Sequence, residues 1–200
     1  MAVLSREEFD AIEFDAVRSG DHARAAERMN QLAATATETA GMPRAEAFLR
    51  AGEQYLMADD PAAAVGGFRR SMADGGPVFV DPRVGLARAL FQLGRDAEAL
   101  ALIGRLKAEG PTDPRVCDLV AELLVDRSDL RGGLEWATAG VELCLRRAAD
   151  GRSPDGRSSD GGAAGGDDDS ELRLLLSLRY RIRNDLGLPE DNYDEMLDEA

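Results

Sequence analysis

The chain has 200 residues, of which 44% are hydrophobic, and a formal net charge of −14 at neutral pH. With only six Phe, three Tyr and one Trp, the core must be mostly Ala, Leu and Val, a composition that favours helix over sheet. The acidic balance, with a pI near 4.5, argues against binding to nucleic acid or to anionic membrane surfaces, because both require a basic face.

The cysteines and the hydropathy pattern indicate a cytoplasmic protein. Cys117 and Cys144 lie 27 residues apart inside helical patterns, which is neither a metal-ligand spacing nor a disulfide framework. The N-terminus is acidic where a secretory signal would be basic and then apolar. No segment approaches the roughly 18 consecutive apolar residues of a membrane span.

The first helix pair is predicted from Ser5, which with Glu8 forms a capping-box pattern. Apolar residues then recur at helical spacing until Ser19-Gly20-Asp21, where the sequence predicts a turn. A second amphipathic helix follows and fades near Gly41-Met42-Pro43. The pattern is typical of one helix–turn–helix unit.

Three further helix pairs follow along the chain. The best preserved covers residues 45–71, with its turn at 59–61, and a Pro- and Gly-rich connector at 74–82 follows it. The third runs from about 82 to 109, and the fourth begins at 113. Such units cannot bury their apolar faces singly, so repetition is itself a structural signal.

The predicted turn residues Gly20, Asp59, Gly94 and Ser128 are separated by 39, 35 and 34 positions. The small residues early in the second helices keep the same intervals: Ala25, Ala64, Ala99 and Gly133. Four units in register near one period predict an all-α fold, an α-solenoid of about four degenerate helix pairs.

The period and the small and aromatic positions resemble the tetratricopeptide repeat over roughly residues 5–145. Gly52, Tyr55, Ala64 and Phe68 match its signature best. The first and fourth units depart from it, because Glu13 occupies a small-residue position in one and Gly133 and Gly140 replace alanines in the other. These departures leave the exact repeat count open.

We predict a TPR-like helical repeat domain at 1–147, a flexible linker at 148–169 and a C-terminal helical cap at 170–200. The linker is dominated by Gly, Ser and Asp and lacks large apolar residues. We interpret Asp167–Asp169 and Ser170 as caps of the following helix rather than as metal ligands. Gly187 is expected to end that helix, and Pro189 fits the first turn of a short last helix.

The tail also resembles bacterial tetratricopeptide-like proteins associated with SEC-C motifs. The similarity lies in an Arg-x-Arg-x-Arg segment followed by Leu-Gly and an acidic Tyr-Asp-Glu, here Arg179, Arg181, Arg183, Leu186-Gly187 and Tyr193–Glu195. The zinc motif itself is absent, so no metal function is implied. The basic tail helix has two interpretations: a cap on the repeat array, which we favour, or a surface for self-association.

Catalytic and cofactor motifs are missing from the sequence. His22, the only histidine, has Ala and Arg as neighbours and is expected to be exposed at a turn. The Gly-rich stretches do not lie between a strand and a Lys-Ser or Lys-Thr helix, so they predict no phosphate site. We therefore expect no enzyme, no metal and no cofactor.

The family resemblance implies a concave face lined by the first helix of each unit, where extended peptides usually bind. It places seven candidate partner-binding residues there: Leu49, Glu53, Leu56, Arg88, Phe91, Asp118 and Glu122. Their mixture of carboxylates and apolar groups favours a basic-apolar polypeptide, although a simply solvated helix face would show the same pattern. The predicted function is a protein-interaction scaffold, and the alternative is a structural protein that forms homo-oligomers through its C-terminal helices.

Overall fold

A computed structural model describes residues 2–150 and 165–199, and these contain ten α-helices and two short β-strands. The chain divides into two compact units, Met1–Leu106 (unit 1) and Lys107–Ala200 (unit 2). The elements in chain order are β1 (Ala2–Ser5), α1 (Arg6–Ser19), α2 (His22–Thr35), β2 (Ala36–Ala40), α3 (Arg44–Met57), α4 (Pro61–Asp74), α5 (Pro82–Gln92), α6 (Asp96–Glu109), α7 (Pro114–Asp126), α8 (Leu130–Ala149), α9 (Gly165–Asp185) and α10 (Asn192–Glu199).

The turns between paired helices share one backbone feature. Gly20, Asp59, Gly94 and Ser128 all adopt the left-handed conformation, with φ of 75°, 57°, 70° and 63°. Asp and Ser rarely take this conformation, so its recurrence at Asp59 and Ser128 shows that the fold imposes it at each turn. The all-α fold of repeated helix pairs, and the turn positions predicted for it, are confirmed.

Helices α3 and α4 pack closely because glycines face each other across them. A Cβ atom placed on Gly67 would lie 2.9 Å from the Cα of Gly52. The ring of Phe68 fills the adjoining space, since a Cβ on Gly52 or on Gly85 of α5 would lie 2.8 Å or 2.4 Å from its Cε1 atom. One buried aromatic ring therefore joins α3, α4 and α5.

Another core cluster of unit 1 lies between α1, α2 and α3. Phe9 and Met29 are fully buried there, together with Met42, which precedes α3. Ser5 caps α1 as the sequence predicts, because its side chain accepts a hydrogen bond of 3.2 Å from the backbone N–H of Glu8. This core holds α1 beside α3.

Unit 2 is built around α8, which packs against α7 and α9. Gly140 of α8 lies beneath Leu175 of α9, and a Cβ there would approach Leu175 Cδ2 to 2.7 Å and Cys117 Cβ to 2.9 Å. A Cβ on Gly133 would likewise lie 2.8 Å from Val125 Cγ2. The glycines that replace alanines in the fourth repeat thus leave space for side chains from the helices that pack on α8.

The first helix pair ends differently from the expectation. Helix α2 stops at Thr35 instead of fading near Gly41, and Ala36–Ala40 form β2, which pairs in parallel with β1. Thr is a good strand former and Ala is not, so local propensity gave little sign of this sheet. The pairing joins segments separated by the whole α1–α2 hairpin.

The tail helices begin at positions other than those expected. Helix α9 starts at Gly165, so Asp167–Asp169 and Ser170 lie inside its first turns rather than before it. Pro189 lies outside α10, and Asp191 caps that helix by accepting a hydrogen bond from the Tyr193 N–H at 3.1 Å. Most of the predicted linker, residues 151–164, falls outside the described residues, and the proposed domain boundaries remain a prediction.

Candidate functional site

Unit 1 contains a cavity of about 620 Å³ that opens beside α3. We call it the α3 groove and define it by Glu13 of α1, four residues of α3 (Glu46, Leu49, Arg50 and Glu53) and the connector segment Pro77–Val80. Glu46, Arg50 and Glu53 are spaced four and three residues apart, so they project from one face of the helix. The connector supplies an apolar wall opposite these charges.

Arg50 organises the carboxylates of the groove. Its Nη1 atom lies 2.9 Å from Asp10 Oδ1 and 3.3 Å from Glu13 Oε2, and its Nε donates to Glu46 Oε1 at 3.3 Å. One guanidinium thus serves three carboxylates from two helices. These contacts link α1 to α3 and occupy most of the N–H donors of the Arg50 guanidinium.

Glu46 connects the groove floor to its wall. Only 7% of this residue is exposed, and its Oε2 accepts a hydrogen bond of 2.8 Å from the backbone N–H of Phe79. The connector is therefore fixed to α3 at Phe79. The Phe79 side chain remains 65% exposed, which is unusual for an anchored aromatic residue.

Glu53 has no hydrogen bond or ion pair among the described residues. Its side chain is accessible to water, but the groove walls surround it, and this burial is the main reason why its pKa rises to about 7. The charges of Glu46 and Glu13 raise the pKa further, whereas those of Arg50 and Arg88 oppose the rise. Among the described residues, Glu53 is therefore a carboxylate without an ion pair, and its pKa is raised mainly by desolvation.

Glu13 experiences a weaker form of the same effect. Burial raises the pKa of its carboxyl, Arg50 lowers it, and the neighbouring Asp10 and Glu46 charges raise it. The departure of Glu13 from the repeat pattern thus coincides with its position in the groove. The surroundings in the groove thus raise the pKa of both Glu13 and Glu53 above the ordinary value of a glutamate.

The predicted binding residues of unit 1 are only partly brought together. Leu49 and Glu53 line the α3 groove, and the charge of Arg88 acts on Glu53. Leu49 and Phe91 are only 3% and 7% exposed, so they offer little surface to a partner. Leu56 is half-buried.

The other two predicted residues, Asp118 and Glu122, lie one turn apart on α7 in unit 2. Glu122 is exposed and Asp118 is half-buried. Burial raises the pKa of Asp118, the charge of Glu122 raises it further, and that of Arg181 on α9 opposes the rise. They form a separate carboxylate pair.

Arg50 and Phe79 are the groove residues that sequence reasoning missed. In the sequence, Arg50 is indistinguishable from an ordinary surface charge on a helix. Phe79 lies in a connector with no periodic pattern. The α1 partners of Arg50 and the Glu46 partner of Phe79 lie 33 to 40 residues away in the sequence. The only early signal was that Phe79 is a large aromatic residue in an otherwise turn-like segment.

The basic tail helix uses two of its arginines internally. Arg179 is 4% exposed and pairs with Asp191 and Asp194 of the α10 region, while Arg183 pairs with the same two carboxylates. The Arg179 guanidinium also lies 4.7 Å from the centre of the Tyr193 ring. Arg179, by its hydrogen bonds, holds the pKa of Asp191 below its ordinary value. These contacts fasten α10 to α9.

Two smaller expectations are corrected or extended by the structure. His22 is half-buried rather than exposed at a turn, because it is the first residue of α2 and its Nδ1 lies 2.8 Å from Gln54 Oε1. Cys117 and Cys144 are both buried, and burial raises the pKa of the Cys117 thiol to about 12. Across the described ranges, no helix combines the length and apolarity needed to cross a membrane.

Comparison with known proteins identifies the central repeats. The family model of the tetratricopeptide repeat matches residues 55–123. No curated protein sequence matches the chain. Among solved structures, one described as a MamA RS-1 ArsTM double mutant is similar, with 15% identity over 88% of this chain and 94% of that chain and a TM-score of 0.46. Residues 55–123 of the chain are thus similar to the tetratricopeptide repeat.

Proposed function

We propose that this protein is a non-catalytic interaction scaffold that binds a polypeptide in the α3 groove, and that the bound segment carries a basic residue flanked by apolar ones. Tetratricopeptide repeats generally mediate protein–protein interaction. The observation that carries the finer proposal is the position of Glu53, a carboxylate without an ion pair among the described residues, in a cavity whose other wall is apolar.

The charge pattern of the groove favours a cationic side chain. Arg50 pairs with Asp10, Glu13 and Glu46 and forms no ion pair with Glu53. A guanidinium or ammonium group from a partner would supply the missing positive charge in a partly desolvated place, where a charge pair is stronger than at an open surface. An acidic ligand would add to the existing repulsion.

The apolar component of the ligand is inferred from the connector. The Phe79 ring projects from an anchored backbone, and Pro77 and Val78 lie beside it along the same wall. An anchored aromatic ring loses little conformational freedom when a partner packs on it. Residues that flank the basic side chain of the ligand would contact this wall.

Unit 2 offers a second carboxylate pair for the same class of ligand. The pKa of Asp118 is raised by burial and by Glu122, so Asp118 would also gain from a cationic partner. We include Asp118 and Glu122 in the proposal as a secondary patch. The α3 groove, which combines a concave volume of about 620 Å³ with an apolar wall, is the primary site.

Selection from a library of displayed random heptapeptides tests the proposal. We expect the full-length protein to enrich sequences with Arg or Lys between apolar residues. Peptides recovered in this way should bind Glu53→Lys at least about tenfold more weakly, since the variant places a cation against the cation of the ligand. A Glu122→Lys variant should show a smaller loss.

The matched control is Glu27→Lys, which introduces the same charge change at an exposed position of α2 outside the groove. Binding by this variant should equal that of the unmodified protein. Enrichment of acidic peptides, no enrichment at all, or equal binding by Glu53→Lys would each refute the proposal.

A further inference from the structure

Helices α1 and α3 expose three large apolar side chains that do not line the α3 groove. Phe14 and Val17 of α1 are 68% and 73% exposed, and Met57, the last residue of α3, is 61% exposed. Single exposed apolar residues are ordinary on a protein surface, whereas a contiguous group of them marks a contact surface. The question is therefore whether these three lie together.

Two contacts show that α1 and α3 run side by side in the same direction. Arg50 of α3 pairs with Asp10, near the middle of α1, at 2.9 Å. Gln54, one turn further along α3, lies 2.8 Å from His22, which follows the C-terminal end of α1. The C-terminal ends of the two helices are therefore adjacent.

The exposed apolar side chains lie on the side of each helix that forms the ion pairs. Phe14 lies one helical turn beyond Asp10, which pairs with the guanidinium of α3. Val17 lies one turn beyond Glu13, which pairs with the same guanidinium. Met57 lies two turns beyond the arginine itself. The three side chains thus form one surface, which we call the α1 patch.

Helix α9 of unit 2 carries an exposed face of different character. Leu174 and Tyr180 are 63% and 37% exposed, and Arg173, Ser177 and Arg181 are exposed as well. Ser177 lies three or four residues from each of the other four, so all five lie along one side of the helix. Neither arginine forms an ion pair among the described residues. We call these five residues the α9 face.

The charges of the two surfaces are opposite. Helix α1 has five carboxylates and two arginines, a net charge of −3, whereas the α9 face has two arginines and no carboxylate. Two α1 patches facing each other would bring two acidic helices together, and two α9 faces would bring arginines together. Charge therefore disfavours a symmetric dimer through either surface and favours contact between one surface of each kind.

We propose that the α9 face of one copy of this protein binds the α1 patch of a second copy, so that the protein assembles head to tail. The apolar side chains of the α9 face pack on the α1 patch, and Arg173 and Arg181 lie beside the carboxylates of α1. Because the contact joins two different surfaces, it produces rings or open chains rather than a two-fold dimer. The inference goes beyond the proposed function, since neither surface is the α3 groove.

The mass of the full-length protein in solution tests the proposal first. Sedimentation at increasing protein concentration should show a mean mass that rises beyond twice the 21.5 kDa of one chain. Added salt should lower this mass, because it screens the opposite charges of the two surfaces. The mass of a single chain at every concentration, or a mass that stops at two chains, would overturn the inference.

Two double variants identify the surfaces. One carries Phe14→Gln and Val17→Gln in the α1 patch. The other carries Leu174→Gln and Tyr180→Gln in the α9 face. Each should sediment as a single chain at concentrations where the unmodified protein associates, and circular dichroism should show an unchanged helix content because the substituted side chains are exposed. The control is Leu100→Gln, which replaces a 50% exposed leucine of α6 and should associate as the unmodified protein does.

An equal mixture of the two double variants tests the head-to-tail arrangement. The first variant keeps its α9 face and the second keeps its α1 patch, so one contact can form between them. The mixture should therefore sediment at twice the mass of one chain, with no larger species. Continued association of either double variant alone, a mixture that stays at the mass of single chains, or loss of association in the Leu100→Gln control would each overturn the inference.

Discussion

The backbone N–H of Phe79 donates a hydrogen bond of 2.8 Å to the carboxylate of Glu46, 33 residues earlier in the chain. This bond fixes an irregular connector to a regular helix, and with it the apolar wall of the α3 groove to its charged floor. The same carboxylate accepts from Arg50, which in turn pairs with Asp10 and Glu13 of α1. Groove shape and groove charge are therefore set by one connected network.

Glu46→Ala should loosen the connector. The substitution removes a buried acceptor and leaves the Phe79 N–H without its partner, so we expect a loss of about 2 kcal/mol in the free energy of unfolding. Hydrogen exchange at the Phe79 amide should become faster. Urea denaturation and exchange measured by NMR check both effects, with the exposed Glu27→Ala as a control that should change stability by less than about 0.5 kcal/mol. Unchanged exchange at Phe79 would show that the bond does not hold the connector.

Gly85→Ala should destabilise unit 1 because of the Phe68 ring. The added Cβ would lie 2.4 Å from two ring atoms, so the ring or α5 must move, at an expected cost of about 1–3 kcal/mol. The matched control is Gly104→Ala in α6, where a Cβ meets nothing within 4 Å. That variant should gain about 0.5–1 kcal/mol from helix propensity. Thermal denaturation of both variants would reveal opposite shifts, and a loss of stability in both would contradict the packing described.

The repeat register was predictable from the sequence because it depends on local signals. Turn residues and small residues recur at one period. The left-handed backbone at Asp59 and Ser128 shows that even the turns without glycine adopt the repeated conformation. The Phe68 contact with Gly52 is likewise local to one helix pair. Periodicity and turn chemistry were sufficient for these features.

The α3 groove was predictable only in part, because its network joins residues distant in sequence. Glu46 is buried and holds the connector through the backbone N–H of Phe79, 33 residues further along the chain. The β1–β2 pairing also joins residues distant in sequence, since its strands lie on either side of the α1–α2 hairpin. Long-range pairings of this kind leave no periodic pattern in the sequence of either partner.

Arg179→Ala should release α10 from α9. The guanidinium is buried and pairs with both Asp191 and Asp194, so its removal leaves carboxylates that Arg183 alone must satisfy. Breaking a buried ion pair on one side costs about 3–5 kcal/mol, and the loss should appear as faster hydrogen exchange in α10. Arg173→Ala, at an exposed position of α9, is the control and should leave exchange unchanged. Equal exchange in the two variants would show that the tail network does not fasten α10.

Glu53→Gln should stabilise the protein at alkaline pH. The folded pKa of Glu53 is raised above the unfolded value, so the unmodified protein loses stability as the pH rises from about 4.5 to about 7, and the loss is complete above that range. After allowance for the accessibility of this side chain, the variant should be about 1 kcal/mol more stable at pH 8 and equal at pH 4. Urea denaturation at a series of pH values checks the sign. A variant that is less stable at pH 8 would contradict the environment assigned to Glu53.

The most direct test of the central claim compares two ligands that differ in one charge. A basic-apolar heptapeptide recovered by selection, and the same peptide with citrulline in place of its arginine, would be titrated calorimetrically into the full-length protein at pH 8. If the α3 groove binds polypeptides through a cation placed against Glu53, the arginine peptide should bind at least about tenfold more tightly, and Glu53→Gln should reduce this difference. Equal affinity of the two peptides for the unmodified protein would contradict the account.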